Sequence, residues 1–205
     1  MMSLLQLGVA VAAAIVTPAR ALEMPSPLAS LASGYARSMA TRPLLTKMGT
    51  SAAIFGSSDL SAQKLEKGAK LDVQRLAVTS AIGGLYFAPA AHVWYGAITE
   101  LIPANGLKDI LLKALLGQMF FGPLVTIVFF ASACLQTTGG LRTLPAKIKS
   151  DLVAVQAAGL GFWPFVDLVS YSFIPVDYIP VFVNCASFLW TIFLSVKSRV
   201  SKDAK

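Results

Sequence analysis

Four stretches of this chain, residues 72–101, 107–136, 150–173 and 178–197, are mostly apolar and each reaches the length of a membrane span. A helix rises about 1.5 Å per residue, so any of them can cross a hydrocarbon core about 30 Å thick. Composition agrees with this reading. Hydrophobic residues make up 56% of the chain and charged residues 13%, where soluble domains average roughly 25% charged. A soluble protein of 205 residues must expose a large share of its side chains and could not hide so many apolar ones. The same figures exclude a disordered chain, whose mark is low hydrophobicity and high charge, and argue against a soluble enzyme domain. The expected fold class is all-α: an integral membrane bundle of four to five transmembrane helices, with the lipid bilayer as its first partner.

The breaks between the runs carry turn chemistry. Asp72 can cap the helix that follows it. Ile102, Pro103, Asn105 and Gly106 form a strong turn. Gly139, Gly140 and Pro145 separate the third run from the fourth, and Ile174, Pro175 and Asp177 separate the fourth from the fifth. An earlier helix is expected over 44–63. It is less apolar, interrupted by Lys47, Ser57, Ser58, Asp59 and Gln63, so it either spans or lies in the interface together with the residues from Tyr35. Residues 1–34 read as a leader or flexible extension ahead of a transmembrane domain over 35–205. Leu4–Val16 is too short to span, Ala19 and Ala21 flank Arg20 in the small-x-small manner of a cleavage site, and Pro25, Pro27 and the run to Ser33 read as a linker.

Charge is distributed unevenly. The chain carries a formal +7. With five crossings, the 64–75 loop, the 137–149 loop and the C-terminal tail share one side and hold eleven Lys or Arg, while the opposite loops 102–107 and 174–177 hold none. That is the positive-inside pattern. It explains the basic balance better than nucleic acid does, because no basic cluster is interleaved with stacking aromatics. Cys134 and Cys185 lie in apolar runs and read as small hydrophobes. With His92 the sole histidine, no metal motif and no cofactor is expected, and no recognisable nucleophile motif points to an enzyme.

Pro89, Pro123 and Pro164 fall near mid-span, where each removes a backbone hydrogen bond and kinks its helix. They are the candidate kinks or gates. Ionisable residues inside a membrane are costly and face the bundle interior or water. Asp59 and Gln63 share a helix face at i,i+4. His92, Gly96 and Thr99 form a second polar face, and Gln156, Trp163, Asp167 and Ser170 a third. Together with Arg75, Lys113 and Gln118 these make the candidate polar network. Two readings stand: the residues satisfy one another as interhelical glue, for example Asp59 or Asp167 against Lys113 or Arg75, or they line a path for small solutes or ions. The stretch Gly84–His92 also echoes Gly159–Asp167, with a proline in step, which suggests two related helical hairpins.

These residues in this order resemble the family of the peroxisomal membrane protein of twenty-two kilodaltons and the mitochondrial inner-membrane protein Mpv-seventeen. The resemblance runs from Tyr35 to about Ser195. It rests on Tyr35 and Pro43, on Asp59 with Gln63, on Asp72 with Arg75, and on Gly84, Pro89, His92, Trp94 and Tyr95. Lys113, Gln118 and Pro123 follow, then Trp163–Pro164, Ile174–Pro175 and Trp190 with Leu194–Ser195. The departures are Ser58 and Ala88 for glycines, Gly117 for Asp, Asp167 for Gln, Ser170 for Asn and Ile179 for Arg. The resemblance implies an organelle-membrane protein of about four membrane helices, in the mitochondrial inner membrane or else a plastid or peroxisomal one. It implies a channel-like or membrane-homeostasis role passing small solutes or ions. The alternative is a structural accessory subunit of a larger bioenergetic membrane complex, or a homo-oligomer.

Overall fold

The computed structural model describes residues 26–65 and 71–190, and among these the secondary structure is helical throughout. The leader-like run Leu4–Val16 and the residues around Arg20 lie outside them. Helix α1 is Ser26–Thr41, so the stretch to Ser33 expected as a linker is helical. Helix α2 is Pro43–Leu65, with its proline in the first turn, where a missing N–H costs nothing. Helix α3 is Val73–Leu101 and helix α4 is Leu107–Leu135. A 3₁₀ turn, Gly140–Thr143, leads into α5, Leu144–Gly159. Helix α6 is Trp163–Phe173. A second 3₁₀ turn, Val176–Tyr178, opens α7, described over 179–190.

By length and composition α3 and α4 can each cross a membrane, and α5 with α6 would make a third span if the bent pair is one. The fold class is therefore an all-α membrane protein, as expected, with two or three span-forming helices among the described residues where four to five were expected over the whole chain. The fourth apolar run is not one straight helix: it starts at Leu144 rather than at 150, and α5 and α6 meet at 53° across 160–162.

The three prolines are accommodated in two different ways. In α3 the turn Ile82–Phe87 is π-helical, and the Ala88 N–H donates to the Gly83 carbonyl five residues back. In α4 the turn Gly117–Phe121 is π-helical, and Gly122 donates to Gly117. Each π turn ends two residues before a proline. The proline ring would press on the carbonyl four residues back, and widening the preceding turn relieves that crowding without ending the helix. Pro164 instead stands in the first turn of α6, after the break. So Pro89 and Pro123 sit in continuous helices, whereas Pro164 begins one. The echo between Gly84–His92 and Gly159–Asp167 thus spans two different local structures.

The chain divides into two compact units. Of the described residues, one unit comprises 26–65, 71–93 and 177–190, and the other comprises Trp94–Val176. In the first, α2 lies against the π turn of α3. The approach is close because Gly83 and Gly84 have no side chain: a Cβ on Gly83 would lie 2.7 Å from the Phe55 Cβ and 2.8 Å from the Ser51 carbonyl. Phe55 and Phe87 meet beside this contact at 5.2 Å between ring centroids. Val181 and Val183 of α7 are buried in the same unit. In the second unit Trp94, Tyr95, Phe121 and Tyr171 form an aromatic core. Trp94 stacks on Phe121 at 5.5 Å, and Tyr95 meets both Phe121 and Tyr171 at 5.9 Å. Outward-facing Leu85, Val93, Leu111, Leu115, Met119 and Phe120 leave α3 and α4 apolar toward their surroundings, as a lipid-facing surface requires.

Candidate functional site

The first unit gathers Asp59, Gln63 and Arg75 into one closed network. Arg75 Nε donates to Asp59 Oδ1 at 2.7 Å, and Gln63 Nε2 donates to Asp59 Oδ2 at 2.7 Å. Gln63 also brackets the start of α3: its Oε1 accepts from the Asp72 N–H at 2.7 Å and its Nε2 reaches the Asp72 carbonyl at 3.0 Å. Asp72 in turn caps α3 by accepting from the Arg75 N–H at 2.9 Å, as its place in the sequence suggested. Both Asp59 oxygens are thereby used. The arrangement is a staple between the end of α2 and the start of α3, one of the pairings the glue reading named.

His92 meets a residue the sequence had offered only as an interruption. Lys47, 1% exposed, donates from Nζ to His92 Nδ1 at 3.1 Å and reaches Asp177 Oδ1 at 3.3 Å. A donating ammonium requires an accepting Nδ1, so the imidazole carries its proton on Nε2. Lys47 was discoverable by the same rule that singled out Asp59, a charge inside a largely apolar helix. Nearby, the buried Asn184 of α7 donates from Nδ2 to Ser51 of α2, a second polar tie that sequence reasoning missed because Asn184 is a lone amide in an apolar run. Tyr35 and Thr50 share a hydrogen bond of 3.3 Å. Burial raises the Tyr35 phenol above its ordinary pKa, and that bond opposes the shift.

In the second unit Lys113, also 1% exposed, turns to the 102–106 bend. Its Nζ donates to Asn105 Oδ1 at 2.9 Å and to the Ala104 carbonyl at 3.1 Å, with the Tyr171 ring 5.5 Å away. Asp109 Oδ2 accepts from the Gly106 N–H at the same bend. Lys113 thus holds a turn.

Asp167 is different. It is 7% exposed and accepts from Gln118 Nε2 at 3.0 Å, an uncharged donor. Among the described residues no ion pair reaches it, unlike Asp59. A Cβ on Gly117 would lie 3.7 Å from Asp167 Oδ2. Two of the departures from the family pattern, Gly117 for Asp and Asp167 for Gln, therefore fall at one place. The carboxyl that the resemblance implies at residue 117 stands here on the facing helix, at residue 167, beside the same Gln118. Gln156 continues the polar line, donating to Thr126 Oγ1 at 3.4 Å.

Comparison with known proteins places this geometry in context. A family model described as Mpv17 / PMP22 matches residues 133–195. The chain is 31% identical over 169 residues to Protein sym-1 of Neurospora crassa, covering 80% of this chain and 96% of that protein. It is 25% identical over 161 residues to the mitochondrial inner membrane protein Mpv17 of Caenorhabditis briggsae, covering 78% and 89%. It is 29% identical over 161 residues to PXMP2/4 family protein 2 of Dictyostelium discoideum, covering 75% and 83%. No solved structure matches the chain.

Proposed function

The chain belongs to the Mpv17 / PMP22 family, and on that premise we propose that it is a channel-like protein that passes small solutes or ions. Its membrane is the mitochondrial inner membrane, the location after which its relatives from two Caenorhabditis species are named. No catalytic step belongs to the proposal.

The observation that carries the reading is Asp167. The other buried charges among the described residues are occupied: Asp59 by Arg75, Lys113 by a turn, Lys47 by His92 and Asp177. Among the described residues, Asp167 is the buried carboxylate held by an amide and by no cation. A carboxylate kept at that position, in a unit built from span-forming helices, offers passing cations or polar solutes a charge that no side chain among the described residues neutralises. Gln118, Gln156 and Thr126 extend that polar surface along α4 and α5.

The test is reconstitution of the pure protein in planar bilayers. A conductance above protein-free bilayers is expected, and Asp167→Asn should lower it and shift its cation preference. Asp59→Asn should act on stability instead. Absence of any conductance refutes the channel. Migration of the native protein within a larger complex in mild detergent, together with that absence, would favour an accessory subunit.

A further inference from the structure

We propose that the second unit carries a binding site for a zwitterionic phospholipid headgroup, one that joins a phosphate to a primary ammonium. The site is a hollow of about 470 Å³ where the end of α4 meets the 3₁₀ turn and the first turns of α5, lined by Cys134, Thr137, Thr143, Lys147, Ser150 and Asp151.

Its position sets the depth. Helix α4 has 29 residues, which at 1.5 Å each is about 43 Å, longer than the hydrocarbon core of about 30 Å. The ends of α4 therefore lie at the level of the headgroups, and Cys134 and Thr137 stand at one of them. Gly140, at φ +54°, turns the chain back there, which only a residue tolerant of the left-handed region does cheaply. The chain thus folds a polar pocket wall beside an apolar floor at the depth where a phospholipid has its own polar-to-apolar boundary.

Charge selects the class of headgroup. Lys147 Nζ lies 2.9 Å from Asp151 Oδ2 and 4.9 Å from the Phe130 ring centroid. Both side chains are partly exposed, at 36% and 43%. An anion taking Lys147 would leave Asp151 without its partner, and a cation taking Asp151 would strand Lys147. A zwitterion supplies both partners: its phosphate faces the Lys147 ammonium, and its ammonium faces the Asp151 carboxylate. The hydroxyls of Thr137, Thr143 and Ser150 donate to backbone carbonyls one turn back. Their oxygens keep lone pairs for the ligand's ammonium, so the wall offers more acceptors than free donors. An anionic headgroup fits that wall poorly. The occupant is a lipid rather than a free headgroup, because the hollow opens at the end of a span where acyl chains can lie along α4.

Native mass spectrometry of the full chain in detergent tests this, with phosphatidylethanolamine and phosphatidylglycerol supplied in equal amounts. Ethanolamine lipid should be retained in preference. Lys147→Gln and Asp151→Asn should each cut its retention by about five-fold, the scale of one charge contact near a membrane surface. An exposed i,i+4 pair adds little to stability, so both variants should keep the helical circular dichroism of the parent. Arg142→Gln removes a neighbouring positive charge outside the hollow and should leave retention unchanged. Three results overturn the site: retention of the glycerol lipid as strong as that of the ethanolamine lipid, a loss in Arg142→Gln equal to that in Lys147→Gln, or no loss in either hollow variant. Displacement of the lipid by an equal concentration of soluble phosphoethanolamine would overturn the assignment to a lipid.

Discussion

The geometry around Gly117 makes a quantitative prediction about two residues on facing helices. A Cβ added at 117 would sit 3.7 Å from Asp167 Oδ2, ordinary van der Waals distance. Gly117→Asp should therefore fit sterically but bring a second carboxylate beside the first. Two like charges about 4 Å apart repel by up to about 4 kcal/mol at an effective permittivity of about 20. Gln118 already donates to Asp167, and the nearest cation along the helix, Lys113 one turn before, is engaged by the 104–105 bend. Asp167→Gln alone removes the carboxylate and keeps a polar group, so its cost should be small, about 1 kcal/mol. In the double variant the single carboxylate returns, carried from residue 117 and facing an amide at 167. Its stability should come back to within about 1 kcal/mol of the parent, as expected of residues in direct contact. The assay is a double-mutant cycle of thermal unfolding in detergent, with bilayer conductance read on the same four proteins. Cation preference should fall in Asp167→Gln and recover in the double variant. If the double variant is as unstable as the two single effects added, residues 117 and 167 do not share one polar site, and the reading of the two departures as one exchange is wrong.

Further outcomes follow from the other contacts. Arg75→Gln should destabilise the first unit by about 1–3 kcal/mol, less than the loss typical of a wholly buried pair because Arg75 is partly exposed; denaturant unfolding in detergent measures it. Gly83→Ala should cost about 1–3 kcal/mol, since its Cβ would press on Phe55 and the Ser51 carbonyl. Gly96→Ala in the same helix meets nothing within 4 Å and should be neutral or stabilising by up to about 1 kcal/mol; melting temperatures of the two variants separate these cases. Lys113→Met removes both donors to the 104–105 bend and should raise amide exchange over residues 102–106 while leaving α7 unchanged, read by hydrogen–deuterium exchange.

Apolar run length and breaker chemistry carry most of the fold, because both are local. The span-forming helices α3 and α4 and the cap at Asp72 follow from residues within a few positions of one another. What sequence could not supply is how each proline would be absorbed. Pro89, Pro123 and Pro164 have the same local chemistry, yet a π turn precedes the first two and a helix break the third. The difference lies in the surroundings: Gly83 and Gly84 let the widened turn press against α2, whereas the residues before Pro164 end a helix. The polar residues divide along the same line. Asp59 and Gln63 were legible as a pair because i,i+4 spacing is a property of one helix, but their closure on Arg75 and Asp72 needs the next helix to return. Lys47 and Asp177 are 130 positions apart, and no periodicity links them. Asp167 is the instructive case. Its type and depth were legible, and so was its departure from the family pattern. Only the facing glycine showed that two departures form one site, and that the functional question rests on a carboxylate with a neutral partner rather than on the more numerous charges that are already matched.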